Sequence, residues 1–299
     1  MASAKMITRI NYCLGLYMVA TTGWAQSDSL NVDALLEDGE QVKKVTGAFK
    51  SSRVIQAHSI EMIPHKNLDF RILHRFGTVD NGMSTFFGLD QARTRIGFDY
   101  GLLQQLALGI GRSTYRKEYD GFVKWRVLQQ TSGAKQFPVS IVLALGMTCI
   151  SEDMPLLPEL KTQDRLAYYA QLLIGRKFNE VISFQLSPII LHQNYVYQEG
   201  GENTIGALGF GGRVKISKRM AITGDYHWVM SGHPEGFYDP MAIGVDIQTG
   251  GHVFQLHFSN SIGMNERAFL VETFDNFFKG EIRFGFNLSR MFDLSPRNK

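Results

Sequence analysis

The sequence predicts an all-β protein, an antiparallel transmembrane β-barrel of about 12 strands behind a short irregular N-terminal segment. Three observations carry this expectation. The chain opens like an export leader, most of it then alternates between an apolar and a polar face with a period of two, and long connections alternate with short ones.

Residues 1–25 read MASAKMITRINYCLGLYMVATTGWA. Lys5 and Arg9 form a basic start, an apolar stretch follows, and Gly23 and Ala25 put small residues where a signal peptidase needs them, before Gln26. The apolar core is shorter than the roughly 20 residues of a spanning helix. The longest later apolar run, Phe137 to Ile150, is broken by Ser140, Gly146 and Thr148. An exported chain of this kind is either a soluble β protein or a membrane barrel.

Composition narrows the classes further. Charged residues are 20% and aromatics 12%, which excludes a disordered, coiled-coil or collagen-like chain. The 31 basic residues, less Lys5 and Arg9 in the leader, almost balance the 28 acidic ones, so no nucleic-acid partner is expected. Cys13 also lies in the leader. Cys149 then stands alone, and one thiol builds neither a disulfide framework nor a cysteine zinc site.

Four segments are expected: a signal peptide (1–25), an N-terminal periplasmic or lumen-filling segment (26–66), the barrel (67–292) and a C-terminal tail (293–299). Within the second, VDALLEDGEQ (32–41) is acidic and suits a turn or two of helix.

From Asn67 onward the two-residue period takes over. In LDFRILHRF (68–76), Leu68, Phe70, Ile72 and Phe76 oppose Asp69, Arg71 and Arg75. ARTRIGFDY (92–100) sets Ile96, Phe98 and Tyr100 against Arg93, Arg95, Gly97 and Asp99. Similar segments follow at 106–111, 119–127, 139–148, 165–177, 180–192, 204–217, 218–230, 240–249, 251–259 and 280–292. Long links fall at 77–91, 151–164, 193–203, 231–239 and 260–279. Tight turns fall at Gly101–Leu102, Lys177–Asn179, Lys218–Arg219 and Thr249–Gly250, while 112–117 is short and 130–136 intermediate. Long loops on one rim and short turns on the other are the habit of outer-membrane barrels. A soluble sandwich would solvate its polar face, whereas here that face mixes arginine with Gly, Ala and Ser, as a narrow lumen requires.

Several stretches resemble one known family: HRFG (74–77), FFGLDQARTRIGFDYGL (86–102), LGIGRS (108–113), YDGFVKWRVLQQ (119–130), RFGFNLSRMF (283–292) and, near the N-terminus, AFKSSRVIQAHSIE (48–61). The family is the β-barrel group of diderm bacteria known as domain of unknown function 5777. The resemblance spans roughly residues 48–292 and implies an outer-membrane barrel. It implies no activity, so no catalytic residue is carried over.

The candidate site is the inner face. It collects Arg71, Arg75, Arg93, Arg95, Lys124, Arg126, Arg213, Lys215 and Arg283 with Asp69, Asp99, Asp120, Asp225 and Asp246, and His227 alternates to the same side. Charges facing lipid at mid-depth cost about 2–4 kcal/mol each, which sends these residues inward. Two readings stay open. One is a porin-like channel for small polar or anionic solutes, favoured by the basic surplus. The other is a structural or partner-binding barrel whose lumen is plugged by an Arg–Asp network.

Catalysis is not expected. His58–Ser59–Ile60–Glu61 places neighbours on opposite faces, and an outer-membrane lipase would need an outward serine to join His74 or His252, yet no GxSxG elbow occurs. The histidines form no HExxH pair, so neither metal nor cofactor is expected. Expected partners are outer-membrane lipids and, through long extracellular loops, other outer-membrane proteins. FLVETFDNFF (269–278), apolar and acidic, suits a docking loop or an extracellular lid. The expected location is the outer membrane of a diderm bacterium.

Overall fold

The computed structural model describes residues 41–155 and 157–296; the leader and most of the acidic stretch 32–41 fall outside them. The first strands are β1 (Lys43–Lys44), β2 (Asn67–Thr78), β3 (Ala92–Leu103), β4 (Leu106–Ser113), β5 (Glu118–Leu128), β6 (Thr131–Ser132) and β7 (Ser140–Ile150). They are followed by β8 (Leu166–Lys177), β9 (Ile182–Gln193), β10 (Thr204–Lys215), β11 (Met220–Ser231), β12 (Met241–Thr249) and β13 (His252–Ser259). A helix, α1 (Glu266–Val271), precedes the last strand, β14 (Arg283–Asp293). All strands but β1 and β6 form one closed antiparallel barrel of 12 neighbours in chain order. The pairing of β14 with β2, from Asp293↔Asn67 upward, closes it and leaves no open edge.

Alternation builds the two faces. Ile96, Ile110, Trp125, Ile190 and Trp228 stand exposed on the outside, while Arg71, Arg95, Asp99, Lys124, Gln185, Asp225 and Asn287 are buried within. Such a wall matches a hydrocarbon surround, since an outward charge is penalised and an outward leucine is not. Among the described residues no helix is long and apolar enough to cross a membrane.

Both ends of the barrel sit on the short-turn rim, where Asn67 pairs with Asp293. One turn differs from expectation. The hairpin of β3 and β4 closes at Gln104–Gln105, and Gly101 lies inside β3 at a register shift. The reason is a close approach: a Cβ on Gly101 would sit 2.0 Å from the Pro64 carbonyl oxygen. The glycine therefore serves the arriving N-terminal chain, whose Lys66 N–H donates to the Gly101 carbonyl at 2.8 Å.

On the inner wall, glycines and aromatics alternate across four strands. The register runs Gly109↔Phe122↔Gly146↔Tyr169. Each ring leans over a neighbouring glycine, and a Cβ there would lie 2.2 Å from Phe122 at Gly109 and 2.3 Å from Tyr169 at Gly146. Gly146→Val is expected to displace Tyr169 and cost about 1–3 kcal/mol by overpacking. Urea unfolding of the liposome-reconstituted protein measures this, and an unchanged midpoint refutes the packing account.

Candidate functional site: the occupied lumen

From residue 41 the described part of the N-terminal segment enters from the short-turn rim and turns back inside the barrel. Val45 N–H donates to Gln130 at 2.8 Å, and β1 pairs with β6 beside that rim. Residues 51–60 are all buried. They form a hairpin whose strands meet at the Arg53↔His58 bridge, with Ser59 N–H donating to Ser52 at 2.9 Å and Val54 N–H to Ala57 at 2.9 Å.

A buried hairpin with no sheet around it leaves its backbone groups to be satisfied by side chains. The inner wall supplies them. Asp225 accepts the N–H groups of Ile55 (3.0 Å) and Gln56 (2.7 Å) together with the Gln56 amide at 3.0 Å. Gln185 accepts from Ile60 N–H at 3.0 Å and donates to the His58 carbonyl at 2.7 Å. Asn287 donates to Ile55 at 3.0 Å, and Gln255 donates to Val54. Lys124 reaches the Ser52 and Glu61 carbonyls at 3.2 and 2.5 Å, and Arg213 those of Gly47 and Ala48 at 2.9 and 2.8 Å. Arg71 donates to the hydroxyls of Ser51 and Ser52.

The remaining inward residues fall into two groups. Arg95 pairs with Asp120 (Nε to Oδ1, 2.8 Å), Arg71 lies 3.4 Å from Asp99, Asp69 accepts from Ser289, and Asp246 accepts from Thr223 and Gln255 at 3.0 Å each. Arg75 is fully buried, donates to Asn287 at 3.1 Å, and meets no carboxylate within 4.0 Å among the described residues. The second group stands at the rims and not deep in the lumen. Arg93 is exposed at the long-loop end of β3, and Lys215 is half-buried at the short-turn end of β10. Arg126 is also half-buried low on the wall and touches the Ile60 carbonyl at 3.5 Å, and Arg283 pairs with Asp275 below the last loop. The strand ends carry these four beyond the narrow section, although their parity is inward.

The last long loop descends from the opposite rim. Its helix α1 is wholly buried, and Asn265 caps it by accepting from Ala268 N–H at 2.8 Å. Phe269, Leu270 and Val271 pack on Leu191, Ile205, Ala207 and Val229, which explains why apolar residues occur on this side of the inner face. His227 lies 4.8 Å, ring to ring, from Phe269. The stretch 269–278 thus turns its first half inward, and only its second half, with Phe274 and Phe278 exposed, faces out as a docking loop would.

Carboxylates that the period did not assign hold this loop. Arg267 makes a two-point contact with Glu118 (2.6 and 2.8 Å) and reaches Glu272 at 3.0 Å. Glu272 also accepts from Arg116 at 3.0 Å and from Gln198 at 3.1 Å, tying three loops together. Burial works to raise the Glu272 carboxyl, but the Arg267 and Arg116 guanidiniums outweigh it and hold it at about 2.

The two inserts meet in the middle. Glu266 of α1 lies 3.0 Å from Arg53 and 3.4 Å from His58, and all three are about 1% exposed. His58 rests on Phe122 at 4.5 Å between ring centres and bonds the Tyr169 hydroxyl at 3.1 Å. Of the stretch 58–61, His58 is committed here to lumen packing and Glu61 accepts the Ala48 N–H at 2.6 Å. His74 faces outward, bonded to Thr94 at 2.9 Å and stacked on Phe286.

A closed wall with an apolar exterior and a polar interior filled from both ends defines a membrane β-barrel with a built-in plug. The chain belongs to the family described as "Membrane bound beta barrel domain (DUF5777)", which matches residues 49–292 and so takes in the hairpin as well as the wall. Among solved structures it is similar to the NanC porin (9% identity, 75% of this chain and 98% of that one, TM-score 0.49) and the KdgM porin (8%, 76% and 99%, 0.46). It is also similar to the outer membrane protein Omp33 of Acinetobacter baumannii (8%, 76% and 98%, 0.40). No curated protein matches the chain.

Proposed function

We propose that the protein is a porin-like channel of a diderm outer membrane, passing small polar solutes and closed at rest by its own hairpin and last loop. In this reading the short-turn rim faces the periplasm. The observation that carries it is the meeting of two inserts from opposite rims at one charged contact, Arg53–Glu266. A lumen meant only to be sealed is filled at less cost by apolar side chains than by ions. Here charge lines the wall, and buried polar atoms such as Arg75 Nη2 and Arg213 Nε lack protein partners. Groups of that kind call for water, and a hydrated wall is ready to conduct once the inserts move.

The inserts change the charge balance little. Glu61, Glu118, Glu266 and Glu272 add negative charge, but Arg53, Arg116 and Arg267 come with them, so a small basic surplus stays. Small polar solutes with at most a slight preference for anions fit this lining. One observation favours the permanently plugged alternative, namely that Asp225, Gln185 and Asn287 spend their bonds on the hairpin backbone.

Planar-bilayer recording separates the two. The intact protein is expected to open rarely, and a variant lacking residues 49–62 to conduct steadily. Heat-modifiable gel migration certifies that the variant is folded. A folded variant that never conducts would overturn the channel and leave the sealed barrel.

A further inference from the structure

The outer wall carries a depression of about 660 Å³, lined by Ile96, Phe98, Ile110, Tyr119, Gly121 and Met147. Its origin is a missing side chain. The cross-strand row on the outer face runs Phe98↔Ile110↔Gly121↔Met147↔Tyr168. Every member but Gly121 is a large apolar residue exposed to the surround. A Cβ on Gly121 would meet nothing nearer than 3.6 Å, so the notch is open and the glycine's backbone needs no relief.

Above the notch the adjacent row runs Ile96↔Arg112↔Tyr119↔Cys149. Arg112 is exposed, stacks on Tyr119 with its guanidinium carbon 5.4 Å from the ring centre, and has no carboxylate within 4.0 Å among the described residues. It occupies the long-loop end of β4. An unpaired cation facing a membrane is tolerated at the interface, where lipid headgroups lie, and not at mid-depth. Two more outward arginines, Arg176 over Phe178 and Arg290 over Phe292, mark the opposite interface in the same way. Only Arg112 among these three adjoins the depression.

The geometry points to a binding site for one phosphate-bearing membrane lipid, with an acyl chain laid in the Gly121 notch and its phosphate on Arg112. The volume falls within the range of about 300–1,000 Å³ typical of small-molecule sites. The lining is apolar where a chain would lie, and the guanidinium offers paired donors where a phosphate would lie. The site is on the outside of the wall, so it stands whether or not the lumen conducts.

Native mass spectrometry of the full chain, released from detergent, tests this with two probes that differ only in the phosphate. Dioleoylphosphatidic acid is expected to be retained as one molecule, at least ten times more tightly than dioleoylglycerol. Arg112→Gln should bring the two probes level, and Gly121→Trp should weaken both. Gly121→Leu replaces the tryptophan variant if that one fails to migrate as a folded barrel. Equal retention of the two probes by the unaltered protein, or binding indifferent to filling the notch, means unselective annular lipid and overturns the proposal.

Discussion

Arg267→Ala is expected to free the last long loop from the barrel, at a cost of about 3–5 kcal/mol in the anchoring of α1. The side chain is 1% exposed and neutralises two carboxylates, Glu118 and Glu272, that are themselves buried. Removing it leaves both buried and facing one another, with only Arg116 still paired to Glu272. Arg267→Lys restores the charge without the two-point contact and should recover part of the loss. Chymotrypsin cleavage after Phe269, blocked while α1 is buried, reads the release directly. The absence of a cut after Phe269 in Arg267→Ala, as distinct from cuts after the exposed Phe274 and Phe278, refutes the clasp.

The same clasp makes the loop acid-sensitive, and the sign follows from Glu272. Its carboxyl titrates at about 2 when bound and at the ordinary 4.5 when released, so the bound state favours the ionised form. The contribution is therefore complete above pH 4.5 and fades as the pH falls toward 2. Cleavage of the unaltered protein should rise over that window, using an acid-active protease, whereas Glu272→Gln should show the weakened clasp at every pH. Cleavage that stays flat through the window removes Glu272 as the cause.

The wall was legible because lipid imposes one rule on every strand. Ile96, Phe98 and Tyr100 must face out and Arg95 and Asp99 must face in, so the two-residue period exposes strand after strand without any knowledge of partners. The plug was not legible in the same way, because its bonds join residues far apart in the chain. Asp225 meets Ile55 across 170 positions and Arg53 meets Glu266 across 213, and no local pattern records such pairings. Glu118 opens its strand one residue before the alternating run that betrayed Asp120, and its role appears only with Arg267 in place. The inward apolar residues Leu191, Ile205 and Val229, and likewise Val142 and Leu173, break the polar pattern of the inner face, a signal that something apolar lay inside. Gly101 reads as a turn by type alone, since only the arriving Pro64 carbonyl explains a glycine within a strand.

Glu266→Ala is expected to raise the frequency of channel opening by at least tenfold, because it strands Arg53 at 1% exposure without a carboxylate. Arg53 then keeps the Gln56 carbonyl at 2.9 Å and the face of Phe122 at 5.8 Å, and neither balances its charge. An uncompensated buried ion costs several kcal/mol, and the hairpin relieves it by moving toward water. Arg53→Ala alone should act in the same direction by leaving Glu266 with His58, a weaker partner at 3.4 Å. The double variant Arg53→Ala/Glu266→Ala removes both charges, so it should open less often than either single variant despite losing more contacts. That inversion distinguishes a charge latch from simple loosening, in which the double variant would open most. A double-mutant cycle on single-channel open probability gives the coupling, expected at about 1.5 kcal/mol or more for so close a pair. A coupling near zero would show that the two inserts close the lumen independently, each held by the wall alone.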